Sequence, residues 1–349
     1  MGRPIEQMTG GIKRRAFLFG AAAAACARGP RLNVYNWSDY VAPETIPQFE
    51  AETGIHVRYG TYESVQEMLA KVMNGNSGWD VVFPSNSFIQ PMRQMGLLAP
   101  LRQEWLPNLD ALDAPFRHPP WDAELQWSVP YMWGVTGIVY RTNLRPPPQA
   151  WRDLWDTRLA GKITMLDDEE EVMGACLKML GHSFNSGDPD ELRQAQRAAL
   201  NQKRLLRAYL NAEVRDQLVA GDVTAAQAWA VTAAQAIQAA PQNLAFAFPA
   251  EGFGRYADNM AILRESRRQQ SAHRFINYLL RPSISAQIAA AMQTATANGA
   301  AHALLPTALR DNPVLYPSPE ILARAEWEQP RSAESQKLRD RLWTEIKSA

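Results

Sequence analysis

Leu32-Asn33-Val34-Tyr35-Asn36-Trp37 reads as a strand, with β-forming residues at its apolar positions. Residues 43–52 follow as a helix, with Ile46, Phe49 and Ala51 on one stripe and Thr53-Gly54 as its stop. Ile55-His56-Val57-Arg58-Tyr59 alternates apolar and polar, as a second strand does. Val65 to Met73 has helical spacing, and Trp79-Asp80-Val81-Val82-Phe83-Pro84 reads as a short buried strand ended by proline. This βαβα alternation predicts an α/β fold, a mostly parallel sheet with helices on both faces. Ligands of such sheets sit beyond the carboxyl ends of the strands. That rule points to Trp37-Ser38-Asp39-Tyr40 and to Ser85-Asn86-Ser87-Phe88.

Farther along, residues 105–128 are rich in Pro and Trp and lack periodicity, as a surface loop does. The run from Ser128 to Tyr140 is apolar, β-like and long enough to leave one sheet and enter another. Pro146-Pro147-Pro148 makes a rigid turn, and Gly161 to Leu166 opens a second βα pattern. Residues 190–240 read as helices interrupted by a strand-like segment from Ala225 to Ala228. Leu244 to Phe248 is strand-like, and Ser271 to Leu280 is an amphipathic helix closed by Arg281-Pro282.

The chain has 349 residues, 46% hydrophobic and 21% charged, enough for one large or two ordinary domains. Its 36 basic residues balance 36 acidic ones, so no global field draws nucleic acid or anionic lipid. Two cysteines, Cys26 and Cys176, do not make a disulfide framework, and no zinc-type Cys/His spacing occurs. Near the start, Lys13-Arg14-Arg15 precedes a short apolar run through Ala25, the layout of an export signal over residues 1–28. Arg14-Arg15-Ala16-Phe17-Leu18 resembles the twin-arginine type. Cys26 resembles the acylated cysteine of a lipoprotein, although the usual branched residue three positions earlier is missing. A periplasmic location is expected, with a lipid anchor at Cys26 as a variant of it.

Four segments have the residue types of a site. Trp37, Ser38, Asp39 and Tyr40 put aromatic faces and a carboxylate at a strand's open end, a mixture suited to an ammonium group. Asp167-Asp168-Glu169-Glu170-Glu171 precedes a helix, and Asp168 and Glu171 have capping-box spacing. Five acids exceed what capping requires, and a cation would relieve their repulsion. The helix that follows carries Val172, Ala175, Cys176 and Met179 on one face, which predicts a buried, inert thiol at Cys176. Gly252 to Asn259 reads as a glycine-containing loop entering a strand, and Trp229 stands alone among small residues, where core packing is the ordinary reading. No nucleophile elbow, Walker loop, His-Glu-x-x-His or dinucleotide fingerprint is present.

The segments Val34-Tyr35-Asn36-Trp37-Ser38-Asp39-Tyr40-Val41, Phe49 to Ile55, Asp80 to Ser85, Pro130 to Gly134, Leu166-Asp167-Asp168, Ile276 to Pro282 and Glu326-Trp327 together resemble, in order, periplasmic spermidine/putrescine-binding proteins. Those are the soluble receptors of polyamine ABC importers. The resemblance implies a two-lobed periplasmic-binding-protein-like fold of type II, with a ligand cleft between lobes. Residues 31–136 with 257–302 would form the first lobe, and 137–256 with 303–349 the second. It implies a receptor without catalytic residues, metal or cofactor, expected as a monomer that hands a putrescine, spermidine or spermine to membrane permease subunits.

By the same resemblance, Trp37 and Tyr40 supply aromatic walls with Ser38 and Asp39 at one end, and Ser85 lies on the first lobe's rim. Asp168 and Glu171 meet one ammonium group, Trp229 and Tyr256 sandwich the methylene chain, and Asp258 pairs with another amine. Ser87 and Thr294 stand where tyrosines are usual, which would enlarge or wet one end of the pocket. Glu328 stands where glutamine is usual, which would favour a further positive charge. A receptor for an amino acid, GABA or an opine remains open, with Arg255 as partner for a carboxylate, as does a secreted carboxylate-based hydrolase.

Overall fold

The computed structural model describes Gly2, residues 29–38 and residues 40–349. The export signal, Cys26 and Asp39 lie outside the described residues.

The opening alternation folds as its pattern predicts. Strand β1 (Arg31–Trp37) lies parallel to β2 (His56–Tyr62), in register from Arg31 opposite His56 to Trp37 opposite Tyr62. Between them runs helix α1 (Thr45–Thr53), whose Phe49 is buried; it stops at Gly54, which takes the left-handed conformation that glycine tolerates best. Helix α2 (Val65–Val72) is capped by Ser64, whose side chain accepts from the Glu67 N–H. The third strand is shorter than expected, only β3 (Val81–Val82), parallel to β1. Trp79 leaves the ladder to stack on Tyr35, ring centroids 4.7 Å apart, and lies against Gly60, where a Cβ would meet the ring at 2.5 Å.

Two long strands join this first wing of the sheet to a second. These are β4 (Val129–Arg141) and, later in the chain, Phe253–Ile262, strand β9. The second wing holds β5 (Ile163–Met165), β6 (Leu206–Tyr209), β7 (Ala225–Trp229) and β8 (Leu244–Ala247). Short strands β10 (Ala295–Thr296) and β11 (Ala325–Trp327) add to β4 and β9. The order is β2-β1-β3-β9-β4-β7-β5-β6. Pairing is parallel among β1, β2 and β3 and among β5, β6 and β7, whereas β4 and β9 run antiparallel to each other and to their wing neighbours.

Strand β4 makes the transfer expected of it. Up to Val135 it pairs with β9, and from Thr136 it pairs with β7. The reading of residues 252–259 as a loop needs correction, because β9 already begins at Phe253. Gly254 is needed there for clearance, since a Cβ would meet the Phe184 ring at 2.7 Å. Strand β6 and the short helical turns between 103 and 117 were not legible, each being too short for a periodic pattern. The C-terminal helix Ala333–Ser348 packs on helices Pro189–Lys203 and Glu169–Met179. Among the described residues no helix is long and apolar enough to cross a membrane.

Candidate ligand-binding site

Residues directly opposite in a ladder, and residues two apart on one strand, share a face of the sheet. Asp258 lies opposite Met132, Tyr256 opposite Gly134, and Trp229 opposite Thr136. Asp258, Tyr256, Gly134, Thr136 and Trp229 therefore form one row that crosses from the first wing to the second. Gly134 leaves room for the Tyr256 ring, whose hydroxyl would lie 2.5 Å from a Cβ there. Glu328 follows β11, donates its N–H to the Arg255 carbonyl at 2.9 Å, and alternates onto the Tyr256 face.

The first wing closes one end of this row. Trp37 stands at the end of β1, donates its indole N–H to the Phe83 carbonyl at 2.9 Å and packs on Tyr62. Tyr40 donates its hydroxyl to Asp258 Oδ2 at 2.7 Å, while Tyr131 holds the Tyr40 carbonyl at 2.7 Å. Ser85 bridges to Asp258 through the backbone. Asn86 ties the floor together: its Nδ2 donates to the Glu328 carbonyl at 2.6 Å and its Oδ1 accepts from the Ala257 N–H at 2.8 Å.

The second wing supplies Asp168 and Glu171. Asp168 caps the helix Glu169–Met179, its Oδ1 accepting from the Glu171 N–H at 3.1 Å. Glu171 does not complete a capping box. Its Oε1 instead accepts from Thr136 at 2.5 Å and from the Trp229 indole at 3.1 Å, and its Oε2 is buried with no partner among the described residues. Trp229 is thus a half-buried ring over the site and not ordinary core. Cys176, in the same helix, is fully buried as expected, and burial pushes its thiol up to about 12.

The other three acids of the run have cations of their own. Asp167 meets Lys347 at 2.5 Å, Glu169 meets the fully buried Arg339 at 2.9 Å, and Glu170 pairs with Arg331. Among the described residues no Lys, Arg or His lies within ion-pair distance of Asp168, Glu171, Asp258 or Glu328. Burial raises all four carboxyls. Asp168 is pushed up to about 7, with Glu170 adding to burial, and Glu171 to about 8, with Asp168 adding to it. Asp258 reaches about 7 despite the Tyr40 hydrogen bond. Glu328 goes well above the carboxylate range through burial and the nearby Glu170, Glu171 and Asp168. Such a set gains most from a ligand that carries positive charge on several separated atoms. Among the described residues no group of three His, Cys, Asp or Glu is placed to hold a metal ion.

Not every expected residue joins this row. The Ser38 hydroxyl donates to Glu63 on the exposed rim. Ser87 is buried in the first turn of the helix Asn86–Gln94, and its hydroxyl has no hydrogen-bond partner among the described residues. Thr294 is buried one residue before the pair Ala295–Trp133, level with Gly134 on the edge of β4. Arg255 points away from the row. Its guanidinium lies 3.9 Å from the Trp327 ring centroid and 4.8 Å from that of Trp133, on the opposite face. Thr136 and Arg331 escaped sequence reading because no local pattern marks them, whereas Asn86 lies in the segment 85–88 that the strand-end rule points to.

The family profile described as bacterial extracellular solute-binding protein matches residues 44–313. The chain belongs to that family. Among curated relatives of this family, the putrescine-binding periplasmic protein SpuD of Pseudomonas aeruginosa is 31% identical, covering 94% of this chain and 95% of its own length. The spermidine/putrescine-binding periplasmic protein of Escherichia coli is 32% identical, covering 92% of each. Among solved structures, the substrate-binding protein PotD of a spermidine/putrescine ABC transporter from Streptococcus pneumoniae superimposes with a TM-score of 0.79 at 30% identity, over 91% of this chain and 99% of that one. The binding protein AgtB of Agrobacterium, solved with agropinic acid, shares the fold at 17% identity and a TM-score of 0.71.

Proposed function

We propose that this solute-binding protein is the polyamine receptor of an ABC importer, a non-enzymatic carrier that works outside the cytoplasmic membrane. One observation carries the reading. The buried carboxylates Glu171, Asp258 and Glu328 and the half-buried Asp168, with no basic side chain in ion-pair reach among the described residues, flank the rings of Trp37, Tyr40, Trp229 and Tyr256. Desolvating ammonium groups costs several kcal/mol each unless carboxylates receive them, and aromatic faces add cation–π attraction. Asp258 takes one terminal amine, while Asp168, Glu171 and Glu328 take the other end, with Tyr256 and Trp229 along the methylene chain. Ser85 lines the rim beside Asp258, and Thr294 the wetter end. The names of the relatives, putrescine- and spermidine/putrescine-binding, support the same class.

The lobes divide as 31–136 with 257–302 and 137–256 with 303–349, hinged where β4 changes partner at Val135-Thr136. Empty, the carboxylates of the two wings repel; a polyamine neutralises them and favours closure, which the permease subunits read. Residues 1–28 direct export. The amino-acid reading loses its proposed anchor, because Arg255 lies on the other face of β9.

Calorimetry of the mature protein against putrescine, spermidine, spermine, GABA and arginine tests the reading. Heat with at least one polyamine supports it. Binding of an α-amino acid with no heat from any polyamine sinks it.

A further inference from the structure

The acidic end of the site contains a cation of its own. Arg331 follows Glu328 by three residues and precedes the C-terminal helix Ala333–Ser348, and its side chain is 7% exposed. It pairs with Glu170, whose side chain is 11% exposed and which lies between Asp168 and Glu171 in the chain. Beyond that partner the Arg331 charge offsets, in small part, the burial that raises Asp168 and Glu328, while Glu170 adds to it. The Arg331 Nε is buried and has no hydrogen-bond partner among the described residues. Arg339–Glu169 and Lys347–Asp167 bind the C-terminal helix itself to the same turn, whereas Arg331 stands before that helix, on the segment that carries Glu328.

We propose that Arg331 is a specificity-determining positioning residue, a resident counter-charge that limits how much positive charge the Asp168–Glu171–Glu328 end accepts from a ligand. This rests on the polyamine reading above. Arg331 does not touch the ligand; it acts through the carboxylates that do. A diamine leaves this end with one ammonium group to place, whereas a triamine brings more charge toward Arg331 and is penalised more by it.

The test is a charge ladder of Arg331→Met, Glu170→Gln and the double variant, each titrated calorimetrically with putrescine and spermidine. Removing the cation is expected to raise spermidine affinity by about tenfold, the scale of one unit charge several ångströms away in a partly buried site, and putrescine affinity by less. Removing the acid alone frees the cation and lowers spermidine affinity. The double variant returns the spermidine-to-putrescine ratio to within about twofold of the parent, because the two charges largely cancel at a distance. A purely structural pair would lower stability in both single variants and shift affinity in the same direction, or not at all. If Arg331→Met fails to fold, Glu170→Gln decides by its sign, and an unchanged ratio there overturns the proposal. Should the parent bind no polyamine, the reading of the site falls first; should it bind both with a ratio constant across the folded variants, only the role of Arg331 falls.

Discussion

Asp167, Glu169 and Glu170 share a five-residue run with Asp168 and Glu171, yet the two groups have opposite surroundings. The first three each meet a basic side chain from the C-terminal segment. The other two turn toward the junction of the wings, where Glu171 meets only the neutral donors Thr136 and Trp229. Asp168 is the extended cap whose carboxylate accepts from the Glu171 N–H, which brings these two acids together, while Glu169 and Glu170 turn to the basic residues of the C-terminal segment. Adjacent acids therefore serve different ends: one set stabilises the fold, the other is left costly and in need of a cation.

Glu169→Gln should produce the largest effect on stability. It would leave Arg339 charged and fully buried without its acid, at a cost of about 3–5 kcal/mol, read by urea unfolding. Affinity of the folded protein for putrescine should hardly change. Glu171→Gln should do the reverse, weakening putrescine at least tenfold, on the order of 1.5–3 kcal/mol for a charge-assisted bond, with stability held or raised. Equal effects of the two substitutions on stability and affinity would erase the contrast.

Asp258→Asn, at the other end of the row, should weaken polyamine binding by more than tenfold, on the order of 1.5–3 kcal/mol. Unchanged calorimetric affinity would remove Asp258 from the site. A pH series separates the sets again. Asp168, Glu171 and Asp258 have folded values of about 7, 8 and 7, above those of an unfolded chain. Their stabilisation is fully present below about pH 4 and is lost as pH rises through about 7 to 8. The gain in Tm on adding putrescine should therefore grow from pH 6 to pH 8.5, as the ligand takes over from protons. A gain that is flat with pH would count against these carboxyls as the ligand's partners. Gly134→Ala should have the smallest effect, a several-fold loss of affinity with the fold kept, because the Tyr256 ring must shift to clear the new Cβ.

Much of the first wing was legible because its instructions are local. A stripe of Ile46 and Phe49 closing at Gly54 is a helix and its stop, and the spacing from Val65 to Met73 is that of a second helix. Strand β3 was read too long because Trp79 is β-like by type but is held outside the ladder by Tyr35 and Gly60. In the site, the acids and rings were visible by residue type and family resemblance. Their partners were not. Ser38 looks like a ligand donor until Glu63 takes its hydroxyl, and Arg255 looks available for a carboxylate until its strand turns it to the opposite face.

By itself the sequence determined the alternating α/β pattern, the long strand that leaves one half of the sheet for the other, the cap at Asp168 and the wealth of acid near aromatic residues. Each depends on spacing within a few turns or one strand, which local sterics and side-chain periodicity set. Only the tertiary structure decided which acids go unpaired. Thr136 reaches Glu171 across 35 residues, Arg339 reaches Glu169 across 170, and Tyr40 reaches Asp258 across 218. Whether a buried carboxylate is satisfied or left waiting for a cation depends on partners so distant in the chain that no local pattern specifies them.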